Sequence, residues 1–293
     1  MRTAKPGFNR RALAAQAMQA AIETRAKAKL DQHSAVCIYG LCETLGVMVR
    51  FNEINMEGMY QRGTPPRIHL SARRPLARRA YNCAHELGHH VFGHGTTIDE
   101  LREDAKQHPW EDPREFLADI FAGFTLMPII GLRRAFAARK WTPEAATPAQ
   151  MFTIACDFGV GYGTLLTHLS AGVNMISRTR AATLQRVTPK ALRAEILGAI
   201  TPEPLIIADH HRAAPTIDAE VNTLLLLPRG VSVNGDRLIQ ERDLVSGRLF
   251  RAVRTGIVQA SAGAHGWATF VRIASENYVG LAKYRHLEDD PDE

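Results

Sequence analysis

The chain has 293 residues, 45% of them hydrophobic and 23% charged, which is the composition of an ordinary globular protein with room for two domains. No apolar run approaches the about 18–20 residues of a membrane span, and the basic N-terminus lacks the apolar core of a secretory signal. The expectation is a cytoplasmic protein with no membrane partner, and a mitochondrial transit peptide is the weaker alternative. The formal net charge of +6 permits nucleic-acid contact without establishing it.

In chain order, residues 9–46 read as helix, stopped by Gly46. "MVRFNEI" and "RIHLSA" alternate like short strands, with the Gly-bearing "MEGMYQRGTPP" as the connection between them. Next comes a helix over 75–92, closed by Gly93 and Gly95. The polar "TTIDELREDAKQHPWED" reads as loop or weak helix. Pro113 opens a helix through "PREFLADIFAGFTLM" that Pro128 stops. "IGLRRAFAARK" is another helix, and two more lie in 148–176. Composition shifts over 188–216, where Pro189, Pro202, Pro204 and Pro215 fall. Beyond that, "VNTLLLLPRGVSV", "RLFRAVRTGIVQA" and "WATFVRIAS" are strand-like. The acidic tail "LEDDPDE" reads as disordered. Cys37, Cys42, Cys83 and Cys156 have no C-x-x-C spacing, so neither a zinc ribbon nor a redox motif is expected, and reduced, mostly buried thiols are.

The chemistry concentrates in "HELGHHVFGH", where four histidines and a glutamate fall within ten residues. On a helix, His85 and His89 are about 40° apart on one face, one turn from each other, so both imidazoles reach one ion. Glu86 stands beside them, placed to act as base on a water at that ion, the H-E-x-x-H arrangement of zinc peptidases. His90 and His94 lie about 140° and about 180° from His85 and are read as non-ligands. The longer metzincin pattern fails, because Phe92 and Gly95 stand where it needs Gly and His. Short matches of this kind do arise on polar helices by chance. Against chance, small Ala84 and Gly88 lie near the proposed ligand face, and Leu87 and Val91 lie where the helix could bury itself.

A third ligand must come from elsewhere. On the helix after Pro113, Glu115 and Asp119 share a face. Glu115 is the candidate ligand, and Asp119 is placed to hydrogen-bond a ligand histidine. The competing reading makes Glu115 the N3 residue of a capping box behind Asp112; Glu103, Asp104 and Glu111 are rival ligands.

"HELGHHVFGH" followed by "EFLADIFAGFTLMP" resembles the ImmA/IrrE family of metallo-endopeptidases. The matching positions are His85, Glu86, His89, Glu115, Ala118, Phe121, Ala122 and Leu126-Met127-Pro128, and the lead-in "IHLSARRPLARRAYNCAHELGH" is also similar. The likeness covers roughly 35–176. Asp119 departs from a frequent Asn. The resemblance implies a zincin-like zinc site (Zn2+) and cleavage of a DNA-binding repressor. An oxyanion donor is also needed, and Tyr162 and His168 are weak candidates from the adjoining helices.

Residues 147–173 resemble a helix-turn-helix, with Ala155, Gly159, Val160 and Leu165 at its packing and turn positions. Its second helix carries no Arg or Lys, so packing against the peptidase is favoured over DNA contact, with Arg178 and Arg180 left as phosphate candidates. Some members of the family carry a GAF-like sensory domain after such a segment. His210-His211 reads as a solvated loop.

The expected fold is α+β. A zincin-like, mainly helical peptidase domain with a small sheet spans 1–146, a helix-turn-helix-like segment 147–188, and a β-rich C-terminal domain, GAF-like or sensory, 189–293. The composition break near 188 suggests that the second domain gates the first. The expected activity is a zinc-dependent endopeptidase of narrow specificity whose partner is a protein substrate, a helix-turn-helix repressor. The alternative is a DNA-binding regulator, or a toxin–antitoxin or phage-defence partner, with a non-catalytic metal site.

Overall fold

The computed structural model describes residues 8–99, 111–263 and 266–287. The rival ligands Glu103 and Asp104 and nearly all of the acidic tail lie outside these residues. The fold is α+β.

The chain enters through helix α1 (Arg10–Lys27), whose first turn is capped by the Asn9 side chain accepting from the Ala12 N–H. The single helix expected over 9–46 is in fact two, because Lys29 takes a positive φ of 56°. Asp31 then accepts the N–H groups of His33 and Ser34 at 2.7 and 2.6 Å, a local turn that competes with helix. Buried Arg25 locks this turn, donating to the carbonyls of Asp31, Ser34 and Thr125. Helix α2 (Ile38–Thr44) follows and ends before Gly46, at φ 74°.

Strands β1 (Met48–Asn52), β2 (Gly58–Gln61) and β3 (Arg67–Ser71) come next. The sequence reading placed β2 in a connection. Its Gly and Gln disguise it, and pairing to both neighbours makes it a strand. β1 and β3 are parallel, and β2 runs antiparallel to β3. Helix α3 (Leu76–Phe92) packs on this sheet and stops where Gly93 adopts the left-handed conformation, its N–H returning to the His89 and His90 carbonyls. Strand β4 (Thr97–Asp99) adds to the outer edge of β2.

Helix α4 (Pro113–Leu126) is started by Asp112, which accepts from the Arg114 N–H, with Pro113 in the first turn. After Pro128, helix α5 (Ile129–Ala138) continues. Pro113–Ala138 is long and apolar enough to cross a membrane by length and composition, a stretch that the search for a continuous apolar run misses, and most of its most apolar window is buried inside the fold. Helices α6 (Pro148–Asp157) and α7 (Tyr162–Thr167) form the helix-turn-helix-like pair, with Gly159 at φ 63° between them. One π turn (His168–Gly172) extends α7, and helices α8 (Arg178–Gln185) and α9 (Pro189–Leu197) complete the helical part.

The rest is β-structure. Strands β5 (Leu205–Ile207), β6 (Thr216–Glu220), β7 (Leu224–Leu227), β8 (Ser232–Val233), β9 (Leu238–Leu244), β10 (Gly247–Ala252), β11 (Gly256–Ala262) and β12 (Trp267–Ala274) form two four-stranded sheets, ordered β5-β7-β10-β9 and β6-β12-β11-β8. The run "LLLL" of β7 is buried at every position, as expected of a strand covered on both faces. Leu224 and Leu226 join the core shared with the helices, and Leu225 and Leu227 join a second core between the two sheets. The β-rich part is thus fused to the helical layer through its first sheet. Strand β13 (Gly280–Leu281) then returns to pair antiparallel with β1, giving the first sheet the order β13-β1-β3-β2-β4.

Candidate metal centre

α3 and α4 approach closely because small residues meet at their crossing. A Cβ placed on Gly88 would lie 3.0 Å from the Ala118 Cα and 3.2 Å from the Phe121 ring. That proximity carries Glu115, in the first turn of α4, over the histidine face of α3. The Nε2 atoms of His85 and His89 are 3.1 Å apart, and the Glu115 carboxylate oxygens lie 3.2 Å from His85 Nε2 and 3.5 Å from His89 Nε2. Among the described residues, His85, His89 and Glu115 form the one group of three or more such side chains able to hold an ion.

The spacing is itself a test of fit. Three donors on a tetrahedron with metal–ligand distances of about 2.0–2.1 Å stand about 3.3–3.4 Å from one another, close to the three distances observed. The electrostatics agree. Burial, and then the neighbouring His85, pull His89 down to about 3, so its ring is neutral with a lone pair to offer. Burial opposes ionisation of Glu115, but the hydrogen bond and charge of His85, with His89, outweigh it and leave the carboxyl lowered. Two imidazoles, one of them held neutral by burial, and a carboxylate are a donor set suited to a divalent ion.

The nitrogens facing away are held. His85 Nδ1 lies 3.0 Å from Asp119 Oδ1, and Tyr81 donates its hydroxyl to the same oxygen at 3.2 Å. His89 Nδ1 lies 2.9 Å from His94 Nδ1. The helical-wheel argument sets His94 on the far side, which would hold only if the helix continued. Gly93 ends it, the chain reverses, and His94 folds back onto its neighbour, stacked on Phe92. Gly93 was the readable signal. His90 faces elsewhere, 2.9 Å from the Tyr60 hydroxyl.

Glu86 is fully buried beside the cluster and accepts from Thr97 Oγ1 of β4 at 3.2 Å. It fits because Gly58 of β2 has no side chain, since a Cβ there would stand 2.7 Å from Glu86 Oε1. The Glu115 carboxylate faces the two histidines, and the α4 cap is Asp112 accepting from the Arg114 N–H.

Tyr162 and His168 are not brought to this cluster. Tyr162 donates its hydroxyl to the Leu184 carbonyl at 3.1 Å. His168 donates Nε2–H to the Met127 carbonyl at 3.0 Å and packs on Gly123, eight residues or about 12 Å along α4 from Glu115. Their nearness in sequence to the site residues was misleading, because the C-terminal end of α4, not its start, meets the π turn. In the helix-turn-helix-like pair, Ala155, Val160 and Leu165 are buried, and Arg180 is spent on the Ala146 carbonyl. His210 and His211 lie in a turn with their rings 3.9 Å apart.

A family model described as the IrrE N-terminal-like domain matches residues 42–170, a span that opens in α2 and closes in the π turn and so contains every residue of the cluster. No curated protein matches the chain. Residues 42–170 are thus an IrrE N-terminal-like metallopeptidase domain, and the His-Glu-x-x-His…Glu cluster lies within it.

Proposed function

We propose that this metallopeptidase is a zinc-dependent endopeptidase of narrow specificity, acting in the cytoplasm on a DNA-binding repressor. The observation that carries the catalytic part is the convergence of His85, His89 and Glu115 at tetrahedral spacing with buried Glu86 alongside. Zinc, when bound there, supplies Lewis-acid polarisation of the scissile carbonyl and lowers the pKa of a water toward neutrality. Glu86 takes the proton of the attacking water and returns it to the leaving amine. Thr97 and the gap at Gly58 fix the carboxylate's position. Asp119 and His94 hold the two rings from behind, which sets their orientation and raises the basicity of the ligand nitrogens.

The repressor substrate is supported by the family alone. The DNA-binding alternative has less support. α7 is six residues long, with Tyr162, Leu165 and Leu166 turned inward, and α6 packs on β5 and α9.

A comparison of new protein N-termini in cells expressing wild type or Glu86→Gln tests the proposal. A small set of termini found only with wild type is the expected result. Identical sets would count against proteolysis, and salt-dependent binding to specific DNA would then favour the regulator.

A further inference from the structure

A cavity of about 330 Å³ lies where the C-terminal end of the chain meets α2 and β1, away from the metal centre. Its lining combines an apolar part, Val47 to Val49 with Pro65, and a polar part that includes Tyr39, Arg272 of β12, and Lys283, Arg285 and His286, which follow β13. We propose that this cavity binds a small molecule through an oxyanion group, a phosphate or a carboxylate.

The charge at its base is unbalanced. Asp218 is shared by two guanidiniums, with Oδ2 2.7 Å from Arg272 Nη2 and Oδ1 3.3 Å from Arg285 Nη2. One carboxylate therefore faces two permanent cations. At the rim, exposed Lys283 and Glu43 offset each other. His286 does not change the count, because burial and then Arg285 push it down to about 3 and keep it neutral. An excess positive charge in a part-buried cleft is costly without a counter-ion.

Polar capacity there is also unspent. The Tyr39 hydroxyl, Arg272 Nε and both ring nitrogens of His286 are shielded from solvent without a hydrogen-bond partner, His286 Nε2 standing 3.6 Å from Asp218 Oδ1, whereas buried polar atoms are paired as a rule; an occupant reaches them through a small shift of these side chains. The Arg285 guanidinium lies 4.8 Å over the Tyr39 ring and 3.4 Å from Cys37 Sγ, so it is held flat against the wall. Several donors with one surplus positive charge form a receptor for an oxyanion, and the volume lies within the range of small-molecule sites. Water alone would satisfy the donors but not the charge.

The occupant would touch residues 37–65 on one side and 272–286 on the other, at the seam where β13 pairs with β1. Binding there favours the joined state by mass action. The site is independent of the metal centre, and its test requires no peptidase activity.

Cys37 supplies the readout. In the intact full-length protein, iodoacetamide labelling of each cysteine is followed by mass spectrometry in inorganic phosphate, in succinate and in sodium chloride of matched ionic strength. N-acetylcysteine in the same reaction is the control, because burial pushes the Cys156 thiol up to about 12 and leaves it unreactive. We expect phosphate, succinate or both to slow Cys37 labelling saturably, by about tenfold at ten times the dissociation constant, with the control thiol unchanged. Which anion protects identifies the head group. Arg272→Gln should abolish the protection. Tyr39→Phe, which removes a hydroxyl the fold does not use, should weaken it severalfold. Protection by neither anion, equal slowing of the control thiol, equal slowing in chloride, or undiminished protection in both variants would overturn the proposal.

Discussion

Glu86 shows how little of a site's precision resides in its motif. Its place beside the histidines follows from helical spacing, but the space its carboxylate occupies is made by Gly58, 28 residues earlier on another element. Gly58→Ala would set a methyl group 2.7 Å from Glu86 Oε1. A displacement approaching 1 Å of a catalytic group costs about a hundredfold in rate. We predict a loss of that order in turnover with metal content unchanged. Equal loss of metal and activity would show that the glycine serves the fold instead. His85, Glu86 and His89 were legible because a local period puts them on one face. His94 was not, because its contact with His89 depends on a reversal at Gly93; Tyr81, one turn before His85 on the same helix, was open to the same spacing, and Thr97 belongs to no local pattern.

Among the elements, the long amphipathic helices and the alternating strands β1 and β3 could be read from sequence, and β2 and β4 could not. α3, α4 and α5 carry apolar faces and their own boundary signals, Gly93 after α3, Asp112-Pro113 before α4 and Pro128 before α5. β2 and β4 have four and three residues and exist only through their neighbours. The α3–α4 crossing is the element-level contact on which the metal site depends. Gly88→Leu would force side-chain atoms into the Ala118 backbone and the Phe121 ring. Overpacking of this kind costs about 1–3 kcal/mol. Separating the helices also draws Glu115 away from the histidines, so we predict weaker metal binding together with a lower unfolding midpoint. An unaltered metal affinity would place the third ligand elsewhere.

The far end of α4 has a different sensitivity. His168 is pulled down to about 4 by burial, the Met127 carbonyl opposing it weakly, and its Nδ1 fills a notch between Gly123 and Gly172. The unfolded chain binds a proton at this residue below about 6.5 and the folded chain only below about 4, so its contribution is fully present above about 6.5 and lost as pH falls to about 4, in total about 3 kcal/mol. Denaturant midpoints at pH 7.5 and pH 5 should therefore differ more for wild type than for His168→Gln. Equal differences would remove His168 from the acid response.

For the molecule as a whole, the change of structural class comes one helix after the composition break near 188, because α9 (Pro189–Leu197) still belongs to the helical part, and many contacts cross that break. β13 completes the first sheet. β7 divides its leucines between two cores. Arg79 of α3 pairs with Glu220 of β6, and Arg139 after α5 binds both Asp157 and Asp209. None of this is visible in sequence, where partners so far apart leave no local period. A 1–188 fragment would strip Leu205, Leu224, Leu226 and Leu249 from the shared core and leave Arg79 buried without its carboxylate, a loss of about 3–5 kcal/mol for that pair alone. We predict that the fragment shows no cooperative unfolding transition. A sharp transition near that of the full chain would restore the picture of two separable domains, and gating could then be tested by truncation.

The central claim is that His85, His89 and Glu115 hold the metal while Glu86 works without touching it. The most direct measurement pairs metal content with new protein N-termini in cells expressing wild type or Glu86→Gln. The account predicts that both proteins carry the metal and that only wild type produces a discrete set of termini. Metal lost with Glu86, or the same termini from both proteins, would contradict it.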